Sequence, residues 1–325
     1  MSTTVNAVPE QGNANDVRRD TNSSNRSELL LFKLGANEDT ARSEQYGISV
    51  FKVREIVPMP KITQIAGSLP NMLGIVNIRG QIIPVIDLPA IVGCKPSTGA
   101  NVMLVTEFAR SVQAFAVESV DEIVHLDWSQ ILPAEQGVAN GTVTSIARLD
   151  ADLESPRLVQ VLDVEAIVGQ FAPAGSQDIA ADSLGTKLEL KPGSAILAAD
   201  DSAVARSMIE RSLEIMGAPC IMTKSGMEAW DRIRQIADES IAAGERIQDR
   251  IAMVLTDLEM PELDGFTLTQ NIKSDPRFAS IPVVVYSSLT GTANEAHAKN
   301  VGADAYVAKF AFNELADTLR QVAQR

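Results

Sequence analysis

The chain has 325 residues, a formal net charge of −14, and 45% hydrophobic against 22% charged residues. That length argues for two domains rather than one, at roughly 100–200 residues each, and an acidic chain without a basic stripe argues against nucleic-acid binding and against adhesion to anionic lipid. With only two cysteines and two histidines, a disulfide framework and a His-based metal site are both excluded: Cys94 and Cys220 read as reduced core residues, His125 as a half-buried strand residue and His297 as a solvent-facing one.

Residues 1–26 are rich in Asn, Ser and Thr and nearly free of apolar runs, the composition of a disordered tail rather than a signal peptide. No later window approaches the roughly 20 apolar residues of a membrane-spanning helix, so no membrane insertion is expected. From Leu29 the chain alternates short strand-like runs with turns. Leu29–Leu34 is followed by a polar loop, then by Tyr46–Val50 and a helix-like piece at Phe51–Ile56. Gly74–Leu88 reads as a hairpin of two apolar strands joined around Arg79-Gly80, with Asp87 as the cap of a short helix at Leu88–Val92. Asn101–Thr106, Val112–Val117 and Leu158–Leu162 supply further strands. Several short strands with regular turns predict small barrels, and nothing among them assembles a catalytic set. Residues 171–193 carry Pro173, Gly175, Gly185, Pro192 and Gly193 among small residues, as an interdomain linker does.

Beyond the linker, strands alternate with helices. Four strand-like runs end on polar groups: Ala195–Ala199 on Asp200-Asp201, Ile251–Thr256 on Asp257, Pro282–Tyr286 on Ser287-Ser288, and Ala303–Ala308 on Lys309. Between them, Ala203–Met216, Met227–Ile241 and Asp264–Lys273 have helical apolar spacing, and so does Phe312–Val322 behind the last. This order predicts βαβ units and a parallel sheet covered on both faces. With a flavodoxin-like strand order, ligands bind beyond the carboxyl ends of the strands, where Asp200, Asp201 and Asp257 converge. Three carboxylates in one cleft call for a cation. Mg²⁺ suits a site with few protein ligands and a phosphate partner. The set describes phosphoryl transfer onto the Asp257 carboxylate, with Lys309 and Ser287 holding the transferred oxygens. Each residue taken singly has a plainer reading: Asp200-Asp201 and Ser287-Ser288 as helix caps, Lys309 as a strand-end charge.

Residues 194–325 resemble a response-regulator receiver domain, an α/β flavodoxin-like fold with a five-stranded parallel sheet. The resemblance implies Asp257 as phosphoacceptor and Asp200 and Asp201 as the metal-binding acidic pair. It further implies Glu259 as donor of a backbone carbonyl to the Mg²⁺, Ser287 as switch hydroxyl, Lys309 as phosphate-binding lysine and Tyr306 as the aromatic switch. One departure is Phe310, where most receivers have proline after the lysine. Residues 27–170, with the Gly74–Leu88 hairpin and the stretches Tyr46-Gly47-Ile48 and Val53–Ile56, resemble the CheW coupling domain. That resemblance implies an all-β unit of two interlocked SH3-like barrels and makes Arg79 a partner-binding surface position.

The whole chain is similar to the CheV-type family, in which a CheW-like domain is fused to a receiver. The implied function is a chemotaxis adaptor in the cytoplasm, at membrane-associated receptor arrays. Its partners would be the cytoplasmic tips of chemoreceptors and the histidine kinase CheA, with coupling regulated by phosphorylation of Asp257. It would not be an enzyme, since the group it phosphorylates and hydrolyses is its own. The alternative is a phosphate sink that drains CheA, its CheW-like domain serving only to localise it.

Overall fold

A computed structural model describes residues 26–37, 39–108, 111–134, 141–150, 156–171, 184–289 and 292–324. The expected N-terminal tail up to residue 25, and most of the expected linker, lie outside the described residues.

The first half is all-β. Its strands are β1 (Arg26–Asn37), β2 (Ser43–Ser49), β3 (Val53–Pro58), β4 (Met72–Ile78) and β5 (Gln81–Asp87). After a short helix α1 (Leu88–Val92) come β6 (Cys94–Lys95), β7 (Val102–Phe108), β8 (Ser111–Val117), β9 (Ser119–Asp127), β10 (Ile131–Pro133), β11 (Val143–Arg148) and β12 (Leu158–Leu162), then helix α2 (Val164–Gly169). They form two sheets. One runs β10-β11-β12-β2-β1-β6 with β9 also on β1, and the other runs β3-β7-β8-β5-β4. The segment Phe51–Ile56, expected to be helix-like, is a single 3₁₀ turn at Val50–Lys52 followed by strand β3. Its valine and isoleucine side chains are better served by pairing with β7.

Side-chain alternation explains why these strands look apolar on both faces. Along β1, Leu29 and Leu31 point into a core with Leu126, Ile131 and Val159. Leu30, Phe32 and Leu34 point the other way, into a core shared by both sheets with Leu104 and Phe115. In β8, Phe115 and Val117 join that shared core, while Ala114 and Ala116 face a third one around Val85, Met103 and Val105. Each barrel thus has its own interior and shares a middle layer, so period-two strands bury both sides. Gly35, at φ +97, sits where β1 bulges between Lys33 and Ala36; a Cβ there would fall 2.2 Å from the Lys95 carbonyl oxygen. The β4–β5 hairpin closes on two residues, Arg79 (φ 50) and Gly80 (φ 88), with Ile78 opposite Gln81. Two left-handed residues in a two-residue loop match the twist of the flanking strands. As expected, the Asp87 side chain caps α1, accepting from the Ala90 N–H at 3.1 Å.

The second half is a doubly wound α/β unit. In chain order it has β13 (Ala195–Ala199), α3 (Ala203–Ile215), β14 (Cys220–Thr223), α4 (Gly226–Ala243), β15 (Ile251–Thr256), α5 (Gly265–Ser274), β16 (Val283–Ser287), α6 (Thr292–Asn300), β17 (Ala305–Ala308) and α7 (Phe312–Ala323). The sheet is parallel, in the order β14-β13-β15-β16-β17. Ile209, Leu213, Leu315 and Leu319 cover one face; Ala229, Ile233, Leu268 and Ile272 cover the other.

Residues 184–193, expected to be linker, run along this unit instead. Leu184 and Leu188 are buried in its core against Leu213 and Leu319, and the Arg320 guanidinium donates to the carbonyls of Leu184 and Thr186. Glycine and proline mark this stretch as irregular, but its leucines still carry apolar surface to bury. His125, expected to be half-buried, is exposed and lies 3.2 Å from Glu28 across the β1–β9 pair. No helix among the described residues is long and apolar enough to cross a membrane.

Candidate functional site

Parallel winding brings the carboxyl ends of β13, β15, β16 and β17 to one edge of the sheet, and the polar residues that follow them meet there. Asp257 follows β15, its N–H donating to the Ala199 carbonyl at 2.9 Å. Helix α5 starts hard against it, which Gly265 allows: a Cβ there would lie 1.9 Å from the Asp257 carbonyl oxygen. Asp257 Oδ1 accepts from the Leu258 N–H at 2.6 Å and Oδ2 from Lys309 Nζ at 2.9 Å. Asp200 Oδ1 accepts from the Ser202 N–H at 3.0 Å, and the cap of α3 is the Ser202 side chain. Neither aspartate of the pair is therefore spent on capping that helix. Lys309, with 1% of its surface exposed, also places Nζ 2.9 Å from Asp200 Oδ2.

One carboxylate oxygen from each of Asp200, Asp201 and Asp257 lies within 4.8 Å of the other two. Burial pushes the Asp200 carboxyl up to about 7 despite Lys309, with the Asp257 and Glu165 charges adding to the rise. Burial and then Asp200 push Asp201 well above the usual carboxylate range. Lys309 is held well above the ordinary lysine value: burial opposes its charge, but Asp200, Asp257 and Glu165 outweigh burial. Receiver domains generally bind Mg²⁺, and this donor set fits it. The oxygens are hard and clustered, Asp200 and Asp257 share the single cation Lys309, and buried Asp200 Oδ2 accepts no well-directed hydrogen bond.

The other expected residues sit at the rim. Ser287 is buried at the end of β16, its Oγ 3.4 Å from the Leu289 N–H. Tyr306 is half-buried, its hydroxyl donating to the Leu289 carbonyl at 2.5 Å. The Glu259 side chain turns away from the cluster toward the β domain, where it accepts from the Ser49 hydroxyl and lies 3.7 Å from Lys52 Nζ. Phe310 has φ 64 and donates its N–H to the Tyr286 hydroxyl at 2.7 Å. Arg79 lies in the other half, at an exposed hairpin tip, paired with Glu55 at 2.9 Å.

Sequence reasoning missed two participants, both from the β domain. Glu165, on α2, is buried, lies 3.1 Å from Lys309 Nζ and accepts from the Ser288 hydroxyl. Lys52, in the 3₁₀ turn, reaches Glu165 at 3.2 Å. Burial alone would push the Glu165 carboxyl up, but Lys309 and Lys52 hold it at about 2. A carboxylate inside the run Val161-Leu162-Asp163-Val164-Glu165-Ala166-Ile167 was the available signal for Glu165. Lys52 had none.

A doubly wound unit with carboxylates and a lysine at its strand ends, joined to a paired-barrel β domain, defines a two-module signalling protein. Residues 28–171 match the CheW-like domain family, and residues 196–320 match the response regulator receiver domain family. Chemotaxis protein CheV3 of Helicobacter pylori is 27% identical over 303 residues, 91% of this chain and 94% of that one. Chemotaxis protein CheW of Klebsiella aerogenes is 31% identical over 143 residues, 43% of this chain and 81% of that one. The chain belongs to the CheV-type family, a CheW-like coupling domain with a receiver fused behind it, and its place is in chemotaxis signalling. Among solved structures, the scaffolding protein TtCheW of Thermoanaerobacter tengcongensis is similar at 26% identity and a TM-score of 0.36, covering 42% of this chain and 88% of that chain.

Proposed function

We propose that this protein is an adaptor that couples chemoreceptors to the histidine kinase CheA, and that phosphorylation of Asp257 sets the coupling. The observation that carries the reading is Asp257 at the centre of the strand-end cluster, with Lys309 on one oxygen and the Leu258 N–H on the other. Asp200, Asp201 and Asp257 would hold Mg²⁺, which spreads the charge on a transferring phosphoryl group. Lys309 orients the Asp257 carboxylate and supplies a fixed positive charge for the phosphoryl oxygens. In the transfer, an Asp257 oxygen forms the new O–P bond as the P–N bond of a phosphohistidine breaks, and the leaving imidazole takes a proton from water. Hydrolysis by water returns the free carboxylate and inorganic phosphate. The CheW-like domain supplies the contact with receptors and kinase, and Arg79 belongs to that surface.

The test starts from purified CheA carrying labelled phosphohistidine. Label should pass to the full chain and not to Asp257→Asn. In receptor–CheA assemblies, kinase output should differ between wild type and Asp257→Asn. Full labelling of the variant sinks the site. Output that responds to receiver deletion but not to Asp257→Asn sinks phosphorylation control.

A further inference from the structure

Lys309 has three N–H donors, and three carboxylates surround it: Asp200 and Asp257 at 2.9 Å and Glu165 at 3.1 Å. Two of these belong to the receiver. The third comes from the CheW-like domain, 144 residues away in sequence. Glu165 is held from three sides, by Lys309, by the Ser288 hydroxyl at the end of β16, and by Lys52 at 3.2 Å. Lys52 in turn reaches Glu259, whose side chain accepts from Ser49. A carboxylate and an ammonium from one domain thus lie against the acidic site of the other.

A phosphoryl group on Asp257 needs the same donors. It adds roughly −1.5 to −2 of charge and three strong acceptor oxygens, and at Lys309 it would compete with Glu165, which accepts one of the two hydrogen bonds that the lysine donates. If Glu165 stayed, its buried carboxylate would face a phosphoryl dianion across Lys309, with Lys52 left to balance it. Helix α2 also packs against α3 here. Beside these ion pairs lies a cleft of about 380 Å³, lined by Arg26, Phe51 and Trp128 from the CheW-like domain and by Phe266, Gln270 and His297 from the receiver. Losing the charge balance of the ion pairs removes their share of this contact.

We infer that Glu165 and Lys52 form an intramolecular latch that occupies the phosphoryl position at Lys309, so that the docked form is the unphosphorylated state and phosphorylation of Asp257 releases the CheW-like domain from the receiver. This inference rests on the reading of Asp257 as phosphoacceptor. The latch acts in both directions: the docked form also resists phosphorylation, because apparent affinity for a phosphoryl group scales with the fraction of undocked chain.

The experiment uses the full chain with Mg²⁺ and beryllium fluoride as the acyl-phosphate mimic. Fluorine NMR reports binding at Asp257, with Asp257→Asn as blank. Hydrogen exchange of the segments containing Ser49–Lys52 and Val164–Gly169, with small-angle scattering, reports docking. Beryllium fluoride should speed exchange in both segments severalfold and enlarge the particle. Glu165→Gln and, independently, Lys52→Met should show the faster exchange without the mimic and bind it at least roughly tenfold more tightly. Two separate variants guard against one failing to fold. A bound fluorine signal with unchanged exchange and scattering overturns the latch while leaving the phosphoacceptor reading intact. Equal affinity in wild type and both variants overturns it as well. No bound signal in any protein removes the phosphoacceptor reading, and the latch with it.

Discussion

The backbone N–H of Phe310 donates to the hydroxyl of Tyr286 at 2.7 Å, from a left-handed conformation at φ 64. Tyr286 is buried between α3 and α7, so this bond ties the segment after Lys309 to the receiver core. Proline is fixed near φ −65° and has no N–H, so the residue usual in receivers is excluded from this backbone. Phe310→Pro should therefore destabilise the receiver by about 3 kcal/mol, read as a lowered midpoint in urea. An unchanged midpoint would mean that the segment adopts a second backbone at no cost.

Leu188 lies in the stretch whose composition reads as linker, yet it is 6% exposed and packs in the receiver core. Its N–H also donates to the Met216 carbonyl at 2.9 Å. Leu188→Ala should cost about 2–4 kcal/mol of receiver stability through a cavity. A loss below about 0.5 kcal/mol, the size of a surface substitution, would return residues 184–193 to the linker.

Lys309→Ala removes the cation shared by Asp200, Asp257 and Glu165. Uncompensated buried charge typically costs about 3–5 kcal/mol, so this variant should be less stable than wild type as well as unresponsive to phosphorylation. Mg²⁺ should restore part of the lost stability by neutralising the same carboxylates. Chemical denaturation with and without Mg²⁺ checks both; wild-type stability in the metal-free variant contradicts the assignment.

The carboxylate cluster makes a prediction about metal. Asp201→Asn should weaken Mg²⁺ binding at least roughly tenfold, since even residues outside a metal's direct ligands change affinity by that much. Titration calorimetry gives the affinity directly. Chelation of wild type should also abolish labelling of Asp257 by a small acyl phosphate. Labelling that survives chelation would place the cation elsewhere.

Arg79 is exposed at the tip of the β4–β5 hairpin, and its partner Glu55 does not bury it. Exposed ion pairs contribute about 0–1 kcal/mol, so Arg79→Ala should leave the melting of the β domain nearly unchanged. Co-sedimentation with receptors and CheA should fall, while labelling of Asp257 should not. A large loss of stability with normal assembly would make Arg79 a brace of the hairpin.

Local pattern was enough to read much of this chain. A parallel strand buried on both faces is an apolar run that must end where the sheet ends, so Asp200, Asp257, Ser287 and Lys309 were visible as polar residues terminating such runs. Strand and helix alternation then placed those ends on one edge. Arg79-Gly80 declared a hairpin because a two-residue loop needs left-handed backbone. Asp87 declared a cap because a short polar side chain stood before a short apolar helix.

What the tertiary structure alone decided concerns contacts between elements distant in sequence. Val53–Ile56 became a strand because β7 was there to pair with it. Leu184 and Leu188 became core because the face of α3 and α7 was open to them. Glu165 met Lys309 only when two folded domains came together, each presenting charge the other lacked. No spacing in the sequence encodes that meeting. It depends on where the end of β12 lies in one domain and the end of β17 in the other, and both positions are products of complete folds.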